Sequence, residues 1–169
     1  MHLYSLMKNY VSSNLWANEQ YVSWLRPHPI ELIEQIIPSS FPGIKGTLVH
    51  IWDTERFWLS VLEESPPPPS FRQHGFEGST EAAYLGILDQ SRKFLDFINS
   101  VNEKALLQEC KLDTPWVKGT LPKYEFVQHA MNHSTYHRGQ IVTMAHHVGI
   151  KGAPMTDYNY YNMVVKKNG

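Results

Sequence analysis

Hydrophobic residues recur every three or four positions along four long stretches of the chain, the spacing that places them on one face of an α-helix. These stretches are residues 3–25, 44–63, 80–101 and 124–149. Pro27 and Pro29 follow the first stretch and Gly149 closes the last, and such residues commonly mark helix ends. Amphipathic helices of this length, without an internal repeat, predict one all-α domain over residues 1–169 with the architecture of a four-helix bundle.

The connections between these helices are predicted to be short irregular or β segments. Residues 33–37 fit either a brief strand or a helical turn, and Ser39 or Ser40 is suited to cap the second helix. Residues 106–112 and 116–121 are short apolar stretches on either side of turn residues, which favours two short strands. Such small elements leave the fold class all-α.

The longest connection, residues 65–79, reads SPPPPSFRQHGFEGS and is called the proline-rich connection below. Four consecutive prolines favour an extended polyproline backbone, and a connection of this length often forms a lid or the rim of a binding site. The alternative is a ligand for an SH3-type domain, but no basic anchor directly flanks the prolines. We therefore expect this connection to border a pocket.

Composition limits the classes of function. Of the 169 residues, 42% are hydrophobic and 18% charged, and the net charge is −1 with scattered Lys and Arg. This balance argues against a nucleic-acid binder or a membrane-surface binder. No window approaches the apolar length of a transmembrane helix, and the N-terminus does not resemble a signal peptide. A single cysteine, Cys110, excludes an internal disulfide, so the cytoplasm is the simplest expected location.

The fourth stretch carries two histidines on its apolar stripe. His133 and His137 lie roughly 20° either side of the centre of the stripe and one turn apart, so both are expected to point into the core. Two alternatives follow: core histidines that bond neighbouring polar groups, or a pair of imidazoles that bind one metal ion. The motif is not HExxH of metalloproteases, because Ser134 follows His133 where that motif has glutamate. A third ligand must come from another part of the chain.

Polar residues also interrupt the apolar faces of the first two helices. Asn14 lies within the stripe of the first helix and Asn18 at its edge, where an amide usually bonds neighbouring polar groups and less often contacts a ligand. Glu55 falls near the centre of the second helix's stripe, where an internal salt bridge or a capping bond is favoured over catalysis. His50 lies on a mostly apolar flank, and periodicity leaves its role undecided.

Two segments of the sequence match a known family. LVHIWDTERFWL at residues 48–59 and HAMNHSTYHRGQIVTMAHHVG at residues 129–149 resemble the DinB/YfiT-like superfamily of bacterial metal-binding four-helix bundles, and residues 132–140 are the most specific part. The triplets at residues 16–18 and 156–158 also fit, so the resemblance covers nearly the whole chain. It implies an up-down-down-up order of helices, a long crossover at the proline-rich connection, and a homodimer.

The same resemblance implies a metal site. Family members bind one divalent ion through a histidine of the second helix and two of the fourth, which by position are His50, His133 and His137. Zinc or nickel is favoured, and iron, manganese and cobalt also accept imidazole. Three protein ligands leave a position open, whereas a purely structural zinc site normally has four. His129, one turn before the pair, would lie beside the ligands or on the substrate side.

A metal-dependent enzyme of the thiol-dependent transferase or hydrolase type is the function that the resemblance implies. A small-molecule substrate or a low-molecular-weight thiol would bind in a pocket rimmed by the proline-rich connection, and His129 and Glu55 are the candidates for moving a proton. The alternative is a non-catalytic, stress-related protein that binds a metal or a small ligand. An acid–base group beside the three histidines would separate the two functions, and the sequence does not identify one.

Overall fold

The computed structural model describes residues 2–115 and 117–168, and most of them are helical. The elements are α1 (Leu3–Leu25), α2 (Ile30–Ile33), α3 (Gly43–Leu62), α4 (Phe71–His74), α5 (Thr80–Ser100), α6 (Glu103–Leu106), β1 (Glu109–Asp113), β2 (Lys118–Pro122), α7 (Lys123–His147), α8 (Tyr158–Tyr160), a π-helix (Tyr161–Val165) and α9 (Lys166–Asn168). The predicted all-α fold with short irregular and β segments is confirmed. Within the described ranges, no helix is both long enough and apolar enough to cross a lipid bilayer.

The long helices α1, α3, α5 and α7 form the bundle, and α1 and α3 each pack against both α5 and α7. Neighbouring contacts show that α1 is antiparallel to α5, α5 parallel to α3, and α3 antiparallel to α7. Helices α1 and α5 are joined by Arg26–Glu81 and Glu19–Arg92. Helices α3 and α5 are joined by Trp52–Gly86 and Glu55–Ser91. Helices α3 and α7 are joined by Trp58–Phe126 and His50–His137. The order is therefore up-down-down-up. Because α3 and α5 run in the same direction, the chain must return along the bundle between them, and the proline-rich connection makes this crossover.

Two apolar clusters fill the bundle at different heights along its axis. One includes the buried side chains of Trp58 and Phe94. The other includes Leu48 and Ile141. Burial of such side chains is the main favourable contribution to folding. Between the clusters, all four long helices contribute polar side chains, which form part of the site below.

The start of α3 differs from the sequence prediction. Neither Ser39 nor Ser40 caps the helix, which begins at Gly43 after Pro42 without a side-chain cap. Gly43 has a φ of +74°, and a Cβ there would lie 2.3 Å from the carbonyl oxygen of Gln35. The chain therefore turns sharply through a glycine, and the two serines fall too early to reach the first turn. The preceding segment contains the helical turn α2 and then irregular backbone, rather than a strand.

The two predicted strands are present as a hairpin. β1 and β2 pair antiparallel, with Glu109 opposite Pro122 and Leu112 opposite Gly119. The first strand begins later than predicted because the chain is still helical in α6 up to Leu106. Trp116, which the sequence placed at the start of the second strand, lies outside the described residues.

Candidate metal centre

Three histidine side chains meet where α3 faces α7. His50 comes from α3, and His133 and His137 come from successive turns of α7, which places their imidazoles on the same side of that helix. The Nε2 atom of His133 lies 3.3 Å from Nε2 of His50 and 3.1 Å from Nε2 of His137. One ligand nitrogen from each residue lies within 4.8 Å of the other two. The fold thus brings together residues that are more than 80 positions apart in sequence.

These separations suit a shared metal ion. Zinc–imidazole bonds of about 2.0–2.1 Å in a tetrahedral arrangement put neighbouring ligand nitrogens about 3.3 Å apart. The two Nε2 separations from His133, 3.3 and 3.1 Å, are close to that value. An all-imidazole donor set also suits nickel and iron. The three-histidine cluster could therefore hold a divalent metal ion.

Burial favours the neutral, metal-binding form of the three imidazoles. Burial and the neighbouring His137 and His133 lower the pKa of His50 to about 3, and the positive charge of Arg72 acts in the same direction. Burial also lowers the pKa of His133 to about 4. It lowers the pKa of His137 as well, against an opposing hydrogen bond with Gln140. Because a neutral imidazole keeps a free lone pair, all three side chains can act as ligands at neutral pH.

Contacts outside the cluster orient two of the rings. The Nδ1–H of His137 donates to Oε1 of Gln140 at 2.7 Å, and this assignment leaves the Nε2 lone pair facing the other histidines. The ring of Phe41 stacks on that of His50, with centroids 3.5 Å apart and 15° between the planes. The Nδ1 atom of His133 is buried and has no hydrogen-bond partner among the described residues. Packing, rather than a hydrogen bond at Nδ1, therefore holds the ring of His133.

His129 lies one turn before the cluster and does not join it. Its ring centroid is 6.2 Å from that of His133 and 4.6 Å from the ring of Trp58, which it meets edge to face. Partial burial lowers the pKa of His129. This position leaves His129 beside the three histidines, with its side chain reaching solvent.

A buried polar network lies behind the two histidines of α7, and Glu55 is its centre. Glu55 is 0% exposed. Its Oε2 accepts a hydrogen bond from Ser91 at 2.7 Å, and its Oε1 accepts from Asn14, Asn18 and Ser134 at 2.8, 3.3 and 3.2 Å. Burial raises the pKa of this carboxyl, whereas the hydrogen bonds favour its charged form. The network joins all four long helices, and it satisfies the inward carboxylate with side-chain hydrogen bonds rather than with the salt bridge or capping bond that the sequence predicted.

Arg138 balances Glu55 through the two asparagines. Its guanidinium donates to Oδ1 of Asn14 at 2.6 Å and of Asn18 at 2.9 Å, while the amide nitrogens of both asparagines donate to Glu55. Arg138 is only 5% exposed, and a buried charge is costly unless an opposite charge and hydrogen bonds compensate it. The sequence left a polar bond or a ligand contact open for Asn14 and Asn18, and both make polar bonds.

The network also fixes the direction of the histidines on α7. Ser134 directly follows His133 in sequence, and Arg138 directly follows His137. Successive helix residues point about 100° apart. Because hydrogen bonds hold Ser134 and Arg138 on the α1 and Glu55 side, α7 cannot rotate freely, and the two imidazoles are aimed at His50.

A cleft of about 450 Å³ opens beside His50. Phe41 borders it on one side, and Phe71, Arg72 and Phe76 of the proline-rich connection border it on another. The connection is not entirely irregular, because it contains α4, whose first turn is capped by a hydroxyl side chain. The prediction that this connection borders a pocket is confirmed.

Sequence periodicity placed the centre of the buried face of α7 too close to the histidine pair. That face is centred on Ser134 and Ile141, and the histidine pair lies at its α3 side, with His133 only half-buried. His137 is buried, as predicted, whereas His133 lies at the edge of the buried face. The physical reason is that α7 packs against both α1 and α3, so its buried face is wider than one stripe. A signal existed, because Ser134 and Arg138 share helical spacing with Met131 and Ile141.

Comparisons with known proteins match nearly the whole length of the chain. The model of the DinB family matches residues 3–166 of the chain. Protein DinB of Bacillus subtilis (strain 168) is 29% identical over 162 residues, an alignment that covers 90% of this chain and 91% of that protein. The matched region includes all four long helices and both segments that contribute the histidines.

Proposed function

This chain belongs to the DinB family, and from that premise we propose that it is a metal-dependent protein whose divalent ion is held by His50, His133 and His137. The observation that carries the proposal is the convergence of three neutral imidazoles, with Nε2 separations of 3.1 and 3.3 Å from the central ring. Zinc and nickel are the favoured ions, and iron, manganese and cobalt are compatible with the same ligands.

The proposed activity is a thiol-dependent transferase or a hydrolase reaction on a small molecule. When bound, a divalent ion with three protein ligands supplies a Lewis acid that favours the anionic form of a thiol or water placed next to it. The chain's own residues position the reactants. Gln140 fixes the tautomer of His137, Phe41 covers one face of the His50 ring, and the cleft beside His50 admits the substrate.

His129 is the residue that we propose for proton transfer. It lies next to the cluster and reaches solvent, so it can exchange a proton with water and with a group held near His133. Glu55, the other candidate from the sequence, is fully buried and bonded to its network, and we propose a structural role for it. The result expected for His129→Gln is a loss of turnover with unchanged metal content.

A second candidate function is a non-catalytic protein that binds a metal or a small ligand. The observation in its favour is that Glu55 is committed to the network, and no carboxylate joins the three-histidine cluster within the described residues. A metal-loaded protein that binds ligand but turns over no thiol or ester substrate would support this second function. The implied homodimer and cytoplasmic location are also proposals, and light scattering coupled to gel filtration tests the dimer.

The experiment that tests the metal centre is elemental analysis of untagged protein purified without added metal. We expect about one transition-metal ion per chain in the wild type, and loss of that ion in His50→Ala and in His133→Ala. His147→Ala is the matched control, because His147 is an exposed histidine at the end of the same helix as His133. A wild type that contains no metal and takes up neither zinc nor nickel would refute the proposal.

A further inference from the structure

The cleft beside His50 contains one charge that the protein does not balance. Four charged side chains other than histidine line it: Glu34, Lys45, Asp53 and Arg72. Lys45 pairs with Glu34 at 2.9 Å, and Asp53 pairs with an arginine outside the cleft at 3.2 Å. Within residues 2–115 and 117–168, the guanidinium of Arg72 has neither an ion-pair partner nor a hydrogen-bond acceptor. The cleft therefore presents a single uncompensated positive charge.

The segment that carries Arg72 is fixed to α3. The hydroxyl of Ser70 donates to Oδ2 of Asp53 at 2.7 Å and also accepts from the backbone N–H of Arg72 in the first turn of the short helix α4. Phe71 lies between Ser70 and Arg72 in the sequence, and the guanidinium of Arg56 lies 4.3 Å from its ring centroid. Two contacts to α3, from Ser70 and from Phe71, thus hold the backbone next to Arg72 at the cleft.

Aromatic rings form the apolar part of the same cleft. Phe71 and Phe76 pack on Trp52, with ring centroids 4.8 and 5.6 Å apart, and they also contact each other at 5.2 Å. Phe41 closes the side next to His50. A cleft of about 450 Å³ lies within the range of small-molecule sites, which combine apolar walls with a few placed polar groups.

From this arrangement we propose that the cleft binds an aromatic or alkyl carboxylate, with the carboxylate on Arg72 and the apolar body between Phe41, Phe71 and Phe76. The inference rests on the proposed function, because it assigns the substrate class of the same site. A planar guanidinium can bind a carboxylate through two parallel hydrogen bonds. One uncompensated positive charge matches a monoanion better than a dianion such as a phosphate monoester, because the other charges of the lining are already paired.

Titration calorimetry with a matched pair of probes, 4-phenylbutyrate and its neutral amide, tests the proposal. Both probes are measured on the full chain, first with the metal removed by a chelator and then after reloading with zinc. We expect metal-free wild type to bind the acid about tenfold more tightly than the amide, because a charge-assisted hydrogen bond is lost with the amide. Arg72→Gln is expected to abolish this preference and to leave binding of the amide unchanged.

The matched control is Arg92→Gln, because Arg92 is an exposed arginine on α5 that pairs with Glu19 and does not line the cleft. It should keep the full preference for the acid. Equal binding of acid and amide by the wild type, or an acid preference that survives in Arg72→Gln, would overturn the inference. A preference that appears only with zinc and is lost in His133→Ala would also overturn it, because the carboxylate would then bind the ion.

The two proposals fail in different ways. If the wild type takes up zinc through its histidines but does not distinguish acid from amide, the metal centre stands and the carboxylate site is refuted. If the protein takes up no metal while its metal-free form prefers the acid through Arg72, the carboxylate site stands and the metal-dependent function is refuted.

Discussion

Replacement of Glu55 by glutamine should destabilise the protein more than any exposed charge substitution. The carboxylate accepts four hydrogen bonds, one at Oε2 and three at Oε1, and none of its surface is exposed. In Glu55→Gln, an NH₂ group must replace one oxygen and will face a donor. The change also removes the negative charge that compensates Arg138. Breaking a buried charge pair from one side costs about 3–5 kcal/mol, a large part of the roughly 5–15 kcal/mol by which a domain is stable.

The assay is urea unfolding followed by circular dichroism, with a chelator present so that metal binding does not contribute. Glu81→Gln is the control, because Glu81 pairs with Arg26 at 2.8 Å on the exposed surface. Loss of that pair should cost less than about 1 kcal/mol. The double variant Glu55→Gln, Arg138→Gln completes a mutant cycle. We expect the double variant to lose about 1–3 kcal/mol less stability than the sum of the losses in the two single variants. A loss below about 1 kcal/mol for Glu55→Gln, or full additivity in the cycle, would refute the reasoning.

Three further predictions follow from single contacts. Tyr84→Phe should be neutral or stabilising at pH 7, because the buried hydroxyl has no partner among the described residues. Burial raises the pKa of Tyr84 to about 12, above the value of about 10 in the unfolded chain. The free energy of unfolding should therefore fall as the pH rises from about 10 towards 12, because the unfolded chain loses this proton first. Urea unfolding from pH 9 to 11.5 should show a smaller loss of stability in Tyr84→Phe than in the wild type. Gly86→Ala should lower the stability of the protein by about 1–3 kcal/mol, because the new Cβ would lie 2.4 Å from the ring of Trp52. A variant that melts at the same temperature as the wild type would contradict this prediction. Gln140→Leu should weaken zinc binding about 10- to 100-fold by freeing the tautomer of His137, and competition with a chromogenic chelator measures the change.

Periodicity was sufficient to predict the helices, because burial of one face leaves a repeating pattern in the sequence. It placed α1 at residues 3–25, as observed, and it placed α5 to within a residue of its observed end. Ser79 caps α5, because its side-chain oxygen accepts a hydrogen bond from the backbone N–H of Ala82 at 3.1 Å. At α3 the same reasoning gave the wrong cap, because the positive φ of Gly43 determines where that helix can begin.

The candidate site could be predicted less completely than the helices from the pattern of hydrophobic and polar residues. His133 and His137 stand out because they share a stripe, whereas His50 lies on a flank and was connected to them only by the family resemblance. Whether three imidazoles converge depends on how α3 and α7 face each other, which no local pattern contains. The role of Arg138 was missed for a similar reason. Its partners are on other helices, and a charged residue is normally taken to face solvent.

The position of the polar network has a consequence for how such a protein can diverge. The network holds α7, and with it His133 and His137, through residues that do not line the cleft. Of the residues proposed above to contact a ligand, Phe71, Arg72 and Phe76 belong to the crossover, and Phe41 does not. Substitutions there can change which molecule is accepted without moving the imidazoles. Under the proposed function, ligand selectivity can then change mainly through the 15 residues 65–79, while the histidines of α7 keep their positions.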